Sequence, residues 1–308
     1  MSNNTIKNNP LLCNPQTGIC EMPGYSAEEF GAPEIETKAK PVKVIYFTDP
    51  ICSTCWGIEP QLRKLKLEYG SSIEIEYRMG GLLPDWSYNS GGISKPSNVA
   101  HHWDGVSAYY DMPIDGDVWL EDPLDSSYPP SIAFKAAQLQ DHGKAILFLR
   151  AIREMVFMEK KNITKWEHLE AAAKKSGLDV VQLKSDFEGE AKTDFRTDLK
   201  LARGYGVRGF PSLFFEGHNK EREFVYGAKP YDYYEMAVLK LYPGAVKTVY
   251  RRDWKTLFGK YSSLTAKEFT ELSGISRNAA EQLLNELVLE GKLERLTTKN
   301  GCIWRLKV

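Results

Sequence analysis

The sequence predicts a mixed α/β fold in which a small sheet is interrupted by a large helical insertion and followed by a small helix-and-hairpin module. Three observations predict it. Val42-Lys43-Val44-Ile45-Tyr46-Phe47 is a β-branched and aromatic run of strand length that leads through a short turn into Cys52-Ser53-Thr54-Cys55 and a helical pattern. From Ser131 to Leu201, four helical patterns follow one another with no strand between them. After residue 246, two short helical patterns precede two runs joined by the turn Lys299-Asn300-Gly301. The expected organisation is an extended tail over residues 1–41, a core over 42–245 with its insertion at about 86–203, and a C-terminal module over 246–308.

The first unit carries the chemistry. Thr48-Asp49-Pro50-Ile51 turns the chain, and the residues from Trp56 to Tyr69 suit a helix ended by Gly70. A three-residue offset puts Cys52 and Cys55 on one face of the first helical turn, close enough to bridge. The free amides and dipole of that turn favour an anion, so the Cys52 thiol is expected to ionise more readily than a free one. A thiolate attacks disulfides, and Cys55 lies within reach to resolve the mixed disulfide. Half of a structural zinc site, completed by Cys13 and Cys20, or an inert core pair would use the same residues. Zinc pairs usually sit on knuckle turns, and this pair sits between a buried-type strand and a helix, which favours redox use.

Composition narrows the class. The chain has 308 residues, 42% hydrophobic and 26% charged, as in an ordinary globular protein with room for two domains or one large insertion. A net charge of −1 argues against non-specific nucleic-acid binding, and no apolar run reaches bilayer length. Met1 to Asn9 holds no apolar stretch of the secretory kind, and five cysteines do not make a disulfide scaffold. The expected compartment is the cytoplasm, with no membrane partner, no cofactor and no metal.

The tail encloses Cys13-Asn14-Pro15-Gln16-Thr17-Gly18-Ile19-Cys20, whose Asn-Pro and Thr-Gly favour a turn that brings the two cysteines together. They are a candidate second dithiol exchanging with Cys52, a metal clip, or two plain thiols. Ser72-Ile73-Glu74-Ile75-Glu76-Tyr77-Arg78-Met79 alternates as a second, parallel strand does, completing a βαβ unit. From Trp86 to Pro130 the aromatics and turn formers, among them Ser87-Tyr88-Asn89-Ser90-Gly91-Gly92, suggest short helices and long loops lining a cleft. His101 and His102 are adjacent, so they point to different sides of a helix and are expected at the surface.

The helical block runs Ser131 to Leu139, Ala145 to Phe157, Lys165 to Lys175 and Val180 to Leu201, with Asp179 as an N-cap. Then come Gly209-Phe210-Pro211-Ser212, the strand Leu213-Phe214-Phe215, a turn, the strand Arg222 to Tyr226 and a closing helix Tyr231 to Tyr242. Set against an earlier Cys-x-x-Cys helix, Pro211 is a candidate cis-proline facing the sulfurs. A loop held there would expose the backbone of Phe210 to an extended substrate.

This order of parts resembles the DsbA family of thioredoxin-fold proteins: βα with Cys-x-x-Cys, β, a helical insertion, Val207-Arg208-Gly209-Phe210-Pro211, a hairpin and a helix. The runs Asp49-Pro50-Ile51-Cys52-Ser53-Thr54-Cys55-Trp56 and Gly116-Asp117-Val118-Trp119-Leu120-Glu121-Asp122-Pro123 are similar to its cytosolic branches. Those are the FrnE-like oxidoreductases and the SpxH (YjbH) adaptors that deliver a transcription regulator to the ClpXP protease. The resemblance covers about Val42 to Tyr242, and the segment after it also looks SpxH-like. It implies Cys52 as nucleophile, Cys55 as resolving thiol and Pro211 as the cis-proline. Phe210, Trp56, Ser53 and Thr54 are the candidate substrate contacts. Ser53-Thr54 stands where strongly oxidising members carry Pro-His, and Phe210 stands where Val or Thr is more usual.

In the C-terminal segment Thr265 and Glu268 are set as a capping box for a helix over Leu264 to Leu272. Asn278 to Glu290 forms a second helix, and Leu293 to Leu306 a hairpin, a winged-helix-like pattern. Glu281, Glu286 and Glu290 on the second helix speak against DNA reading, so a protein-contacting or structural module is expected. The leading functional expectation is a thiol–disulfide oxidoreductase, acting as reductase or isomerase on protein or peptide disulfides. The alternative is an SpxH-like adaptor that binds a regulator protein and delivers it to ClpXP.

Overall fold

The computed structural model describes residues 13–14, 19–20, 40–87 and 95–307. Most of the expected tail, and Tyr88-Asn89-Ser90-Gly91-Gly92, lie outside the described residues. Within the tail, β1 (Cys13–Asn14) and β2 (Ile19–Cys20) pair antiparallel with Cys13 opposite Cys20.

The central strand is β3 (Val42–Thr48), buried at every position but Lys43, as its β-branched and aromatic content requires. The helix that follows is split where one was expected. α1 (Ser53–Gly57) ends at Ile58 (φ −93°, ψ 0°), and α2 (Glu59–Tyr69) starts with Pro60 in its first turn. Pro60 has no N–H to return to Trp56 and its ring would strike that carbonyl, so a continuous helix is not available. β4 (Ile73–Met79) then pairs parallel with β3 in register Val42 with Ile73.

Among the described residues, seven helices separate β4 from the next strand: α3 (Pro96–Tyr110), α4 (Val118–Glu121), α5 (Tyr128–Gln140), α6 (His142–Met158), α7 (Trp166–Lys175), α8 (Val180–Glu188) and α9 (Glu190–Gly204). The fifteen residues of α3 are longer than the short helices expected there, and they carry His101 and His102 exposed. Asp179 caps α8 through the Gln182 N–H, while Gly189 (φ −115°, ψ −112°) divides the last expected helix into α8 and α9. β5 (Ser212–Gly217) returns antiparallel to β3, and β6 (Arg222–Tyr226) closes the sheet in the order β4-β3-β5-β6 before α10 (Tyr231–Leu241).

One sheet face, with Val42, Val44, Tyr46, Tyr77, Met79, Leu213 and Phe215, sits in the main core beneath the helical insertion and α10. The other holds a smaller cluster around Ile45, Phe47 and Ala202. Buried Asp198 on α9 accepts from the Met79 N–H at 3.0 Å and from Arg78 at 2.8 Å, and pairs with Lys135 at 3.1 Å. That fixes α9 to the sheet edge.

The described residues from Lys40 onward form one compact unit. Its C-terminal part contains α11 (Trp254–Lys260), β7 (Ser263–Thr265), α12 (Ala266–Ser273), α13 (Arg277–Leu289), β8 (Leu293–Thr298) and β9 (Gly301–Leu306), with strand order β7-β9-β8. The Thr265–Glu268 capping box is formed, and β7 and α11 add to the expected elements. On α13, Arg277 is tied to Glu281 and Asp111, so it is not free for a base edge.

The joint to the core is ionic and buried. Arg150 of α6 donates to both carboxylate oxygens of Glu268 (2.8 and 3.0 Å) and to Glu154 (2.7 Å), and lies 4.3 Å over the Trp56 ring. Arg63 of α2 reaches Glu268 at 3.3 Å and the Ser263 carbonyl at 2.8 Å, and Arg305 of β9 reaches Glu154 at 2.8 Å. These carboxyls are held down although burial pushes them up, because the arginines outweigh it, Glu154 to about 2. Among the described residues no helix is long and apolar enough to cross a membrane.

Candidate functional site

β3 ends at Thr48, and the Asp49-Pro50-Ile51 turn is closed by Asp49 itself. Its buried carboxylate accepts from the N–H of Ile51 (3.0 Å), the N–H of Leu82 (2.8 Å) and the Ser127 hydroxyl (2.8 Å). Burial outweighs those bonds and pushes the carboxyl up to about 6. Cys52 is the N-cap of α1, and its sulfur accepts the Cys55 N–H at 3.2 Å. Both cysteines are free thiols, Cys52 5% exposed and Cys55 fully covered.

The two thiols sit in different surroundings. Burial pushes the Cys52 thiol well up, and its hydrogen bond with Cys55 keeps the proton on it. Cys55 is also raised by burial, but the bond from Cys52, the Arg153 charge and the Thr48 and Tyr46 hydroxyls outweigh that and lower it. After the bond from Cys52, a guanidinium charge is the next influence that favours the Cys55 thiolate.

That guanidinium belongs to Arg153 of α6, which donates to Thr48 Oγ1 (2.6 Å), the Asp49 carbonyl (3.2 Å) and Glu59 (2.6 Å). Sequence reasoning missed it, along with Asp49, Tyr46 and Thr48. A signal was present: Arg150, Arg153 and Glu154 interrupt the apolar stripe of α6 at helical spacing.

The other candidates divide. The β3–β5 register ends with Phe47 opposite Ser212, so Pro211 lies at the sheet end where β3 gives way to the cysteine turn. The Phe210–Pro211 peptide is cis. A Cβ on Gly80 would come within 2.0 Å of the Phe210 ring, so that glycine makes room for the loop. The Phe210 N–H and C=O make no hydrogen bond within the described residues. Thr54 is partly exposed and bonds to Tyr110, which packs against Gly57. Ser53 is buried. Trp56 is fully buried, donating to the Pro113 carbonyl at 3.1 Å and stacked 5.5 Å from Phe157, so it is a core residue rather than a substrate contact. For Cys13 and Cys20 the described backbone gives only their opposite placement. Among the described residues no group of three or more His, Cys, Asp or Glu could hold a metal ion.

A Cys-x-x-Cys at the first helix of a mixed sheet, with a proline loop at the same sheet end and a helical insertion, defines a thioredoxin-fold protein of the DsbA type. The family model described as thioredoxin matches residues 46–236. The cytosolic disulfide reductase DsbM from Pseudomonas aeruginosa superposes with a TM-score of 0.53, over 65% of this chain and 98% of its own, at 19% identity, a likeness of fold alone. The ClpXP adapter protein SpxH of Halalkalibacterium halodurans is 34% identical over 304 residues, covering 96% of this chain and 97% of that protein. The protein of the same name from Bacillus subtilis is 28% identical over 271 residues, covering 86% and 89%. The chain belongs to the SpxH family.

Proposed function

We propose that the protein is a cytoplasmic adaptor that binds a regulator protein and delivers it to the ClpXP protease. The observation that carries this is the extent of likeness: relatives named as ClpXP adapters match between 86% and 96% of the chain, whereas the reductase-type fold accounts for about two thirds of it. This puts the adaptor ahead of the oxidoreductase that leads from sequence alone. The enclosed thiols agree with it, because a pair with Cys52 5% exposed and Cys55 fully covered offers little sulfur surface to a substrate disulfide. The ion-paired joint between core and C-terminal module suits a body that presents one partner to another.

A second reading keeps thiol–disulfide exchange, favoured by the intact pair and the free Phe210 backbone. Cys52 thiolate would attack a substrate disulfide, releasing one thiolate. Cys55 would then attack the Cys52 sulfur, releasing the second and leaving the pair oxidised by two electrons.

One parallel experiment separates the two. Wild type and Cys52→Ala are assayed for disulfide reduction and isomerisation, and for ClpXP-dependent loss of their co-purified partner. The adaptor requires partner loss with both forms and no turnover with either. Turnover by wild type that vanishes in Cys52→Ala, with no ClpXP-dependent partner loss in the presence of either form, would overturn it.

A further inference from the structure

A cavity of about 130 Å³ lies where α2 and α6 of the core meet the turn between α11 and β7 of the C-terminal module. Buried Leu62 and Leu149, with Ile146 beside them, give it an apolar wall. Leu147 and Lys260, both exposed, stand at its mouth. An apolar cavity of roughly 150 Å³ takes up one benzene ring, so this space suits a single ring or a branched chain of like size.

The rest of the wall is charged, and its charges do not balance. Glu59 is the one carboxylate that lines the cavity, and it is taken by Arg153 at 2.6 Å and Arg63 at 3.8 Å. Arg150, also in the wall, is spent on Glu268 and Glu154. Arg63 gives Nη1 to the Ser263 carbonyl and faces Glu268, while its Nη2 makes no hydrogen bond among the described residues. That guanidinium lies 4.4 Å over the ring of Tyr261, itself part of the wall. Lys66 donates only to Tyr77 Oη, at 3.1 Å, and its ammonium lies 5.0 Å over the same ring, which faces the cavity too. Neither Lys66 nor Lys260 has a carboxylate within ion-pair distance among the described residues. Cations beside an apolar wall are costly to hold without a counter-charge.

We propose that this cavity binds a small organic carboxylate whose apolar part is the size of a benzene ring. The apolar part lies against Leu62, Ile146 and Leu149, and the carboxylate meets Lys66, Lys260 and the Nη2 of Arg63. The ring or branched chain fills the space, and the charge supplies the counter-ion that the two lysines lack. Such a ligand touches α2, α6 and the end of α11 at once, so its binding also fastens the module to the core. The proposal goes beyond the adaptor reading and does not depend on it.

The probe is benzoate, titrated into the full chain by calorimetry. Two controls accompany it: benzyl alcohol keeps the ring without the charge, and inorganic phosphate keeps the charge without the ring. Benzoate binds saturably at one site per chain, and each control binds about tenfold more weakly or worse. Lys260→Glu and Lys66→Met each weaken benzoate by about tenfold or more. Benzoate raises Tm in wild type and fails to do so in Lys260→Glu. Lys260 is exposed and makes no bond that the fold uses, so its variant decides the matter even where Lys66→Met does not fold. No saturation below about 10 mM, the weak limit for a ligand of about nine heavy atoms, overturns the site. Equal affinity for benzyl alcohol overturns the role of the cations, and equal affinity for phosphate that of the apolar wall. Benzoate binding that is indifferent to Lys260→Glu places it elsewhere on the chain and overturns the proposal as well.

Discussion

Replacing Arg150 by Met tests whether the ionic joint holds the C-terminal module to the core. The substitution keeps most of the aliphatic volume and removes both bonds to Glu268, the bond to Glu154 and the charge over Trp56. Glu268 is wholly covered and, among the described residues, keeps only Arg63, at 3.3 Å, as a charged partner. Breaking a buried pair by removing one member costs about 3–5 kcal/mol, because the other charge stays out of water. At roughly 2–4 °C per kcal/mol for a chain of this size, Tm falls by about 6–20 °C. Chemical denaturation of wild type, Arg150→Met, Glu268→Gln and the double variant closes the cycle. Gln at 268 can still accept from the Thr265 N–H, so the helix cap survives. The double variant loses less than the sum of the singles, by about 0.5–3 kcal/mol. A single-variant loss below about 1 kcal/mol, or strict additivity, would refute the view that these charges depend on one another.

Three further outcomes follow from the same contacts. The Glu154 carboxyl is lowered from 4.5 to about 2, so the stability it contributes is fully present above pH 4.5 and is lost as pH falls toward 2. Wild type and Glu154→Gln should therefore differ by about 3 kcal/mol at neutral pH and converge in acid, which urea curves across pH will check; a constant gap would count against it. Arg153→Met removes the charge that helps lower Cys55, so the ultraviolet thiolate absorbance of the reduced pair rises only at higher pH than in wild type. Gly80→Ala drives a methyl group into the Phe210 ring and costs about 1–3 kcal/mol, and adding Phe210→Ala restores most of it in thermal unfolding.

Local patterns were legible where one segment decides its own structure. The alternation of β4, the Asp179 cap and the Thr265–Glu268 capping box all form as the residues suggest, since each rests on neighbours within a turn. The pairing of Cys52 with Cys55 is of the same kind. What the sequence hid depends on distant chain. Trp56 looks like a surface aromatic beside the cysteines, and only the helical insertion, through Phe157 and Arg150, shows that it is core. Burial, which spacing does not report, dominates both thiols, and at Cys55 it is opposed by the bond from Cys52 and by the charge of Arg153, about a hundred residues away. The break at Ile58 could have been read, because Pro60 stands in plain view in the helix.

Arg150 and Arg153 lie within one turn of α6, one turned to the C-terminal module and the other to the thiols. Neither half can then be exchanged freely between relatives: a grafted module lacking an acid at 268 would strand Arg150, and a transplanted core lacking that arginine would strand the acid. Glu59, Glu154 and Glu268 thus answer to two arginines on a single helix, so a substitution at any of the three acids is felt by both the thiol turn and the C-terminal module.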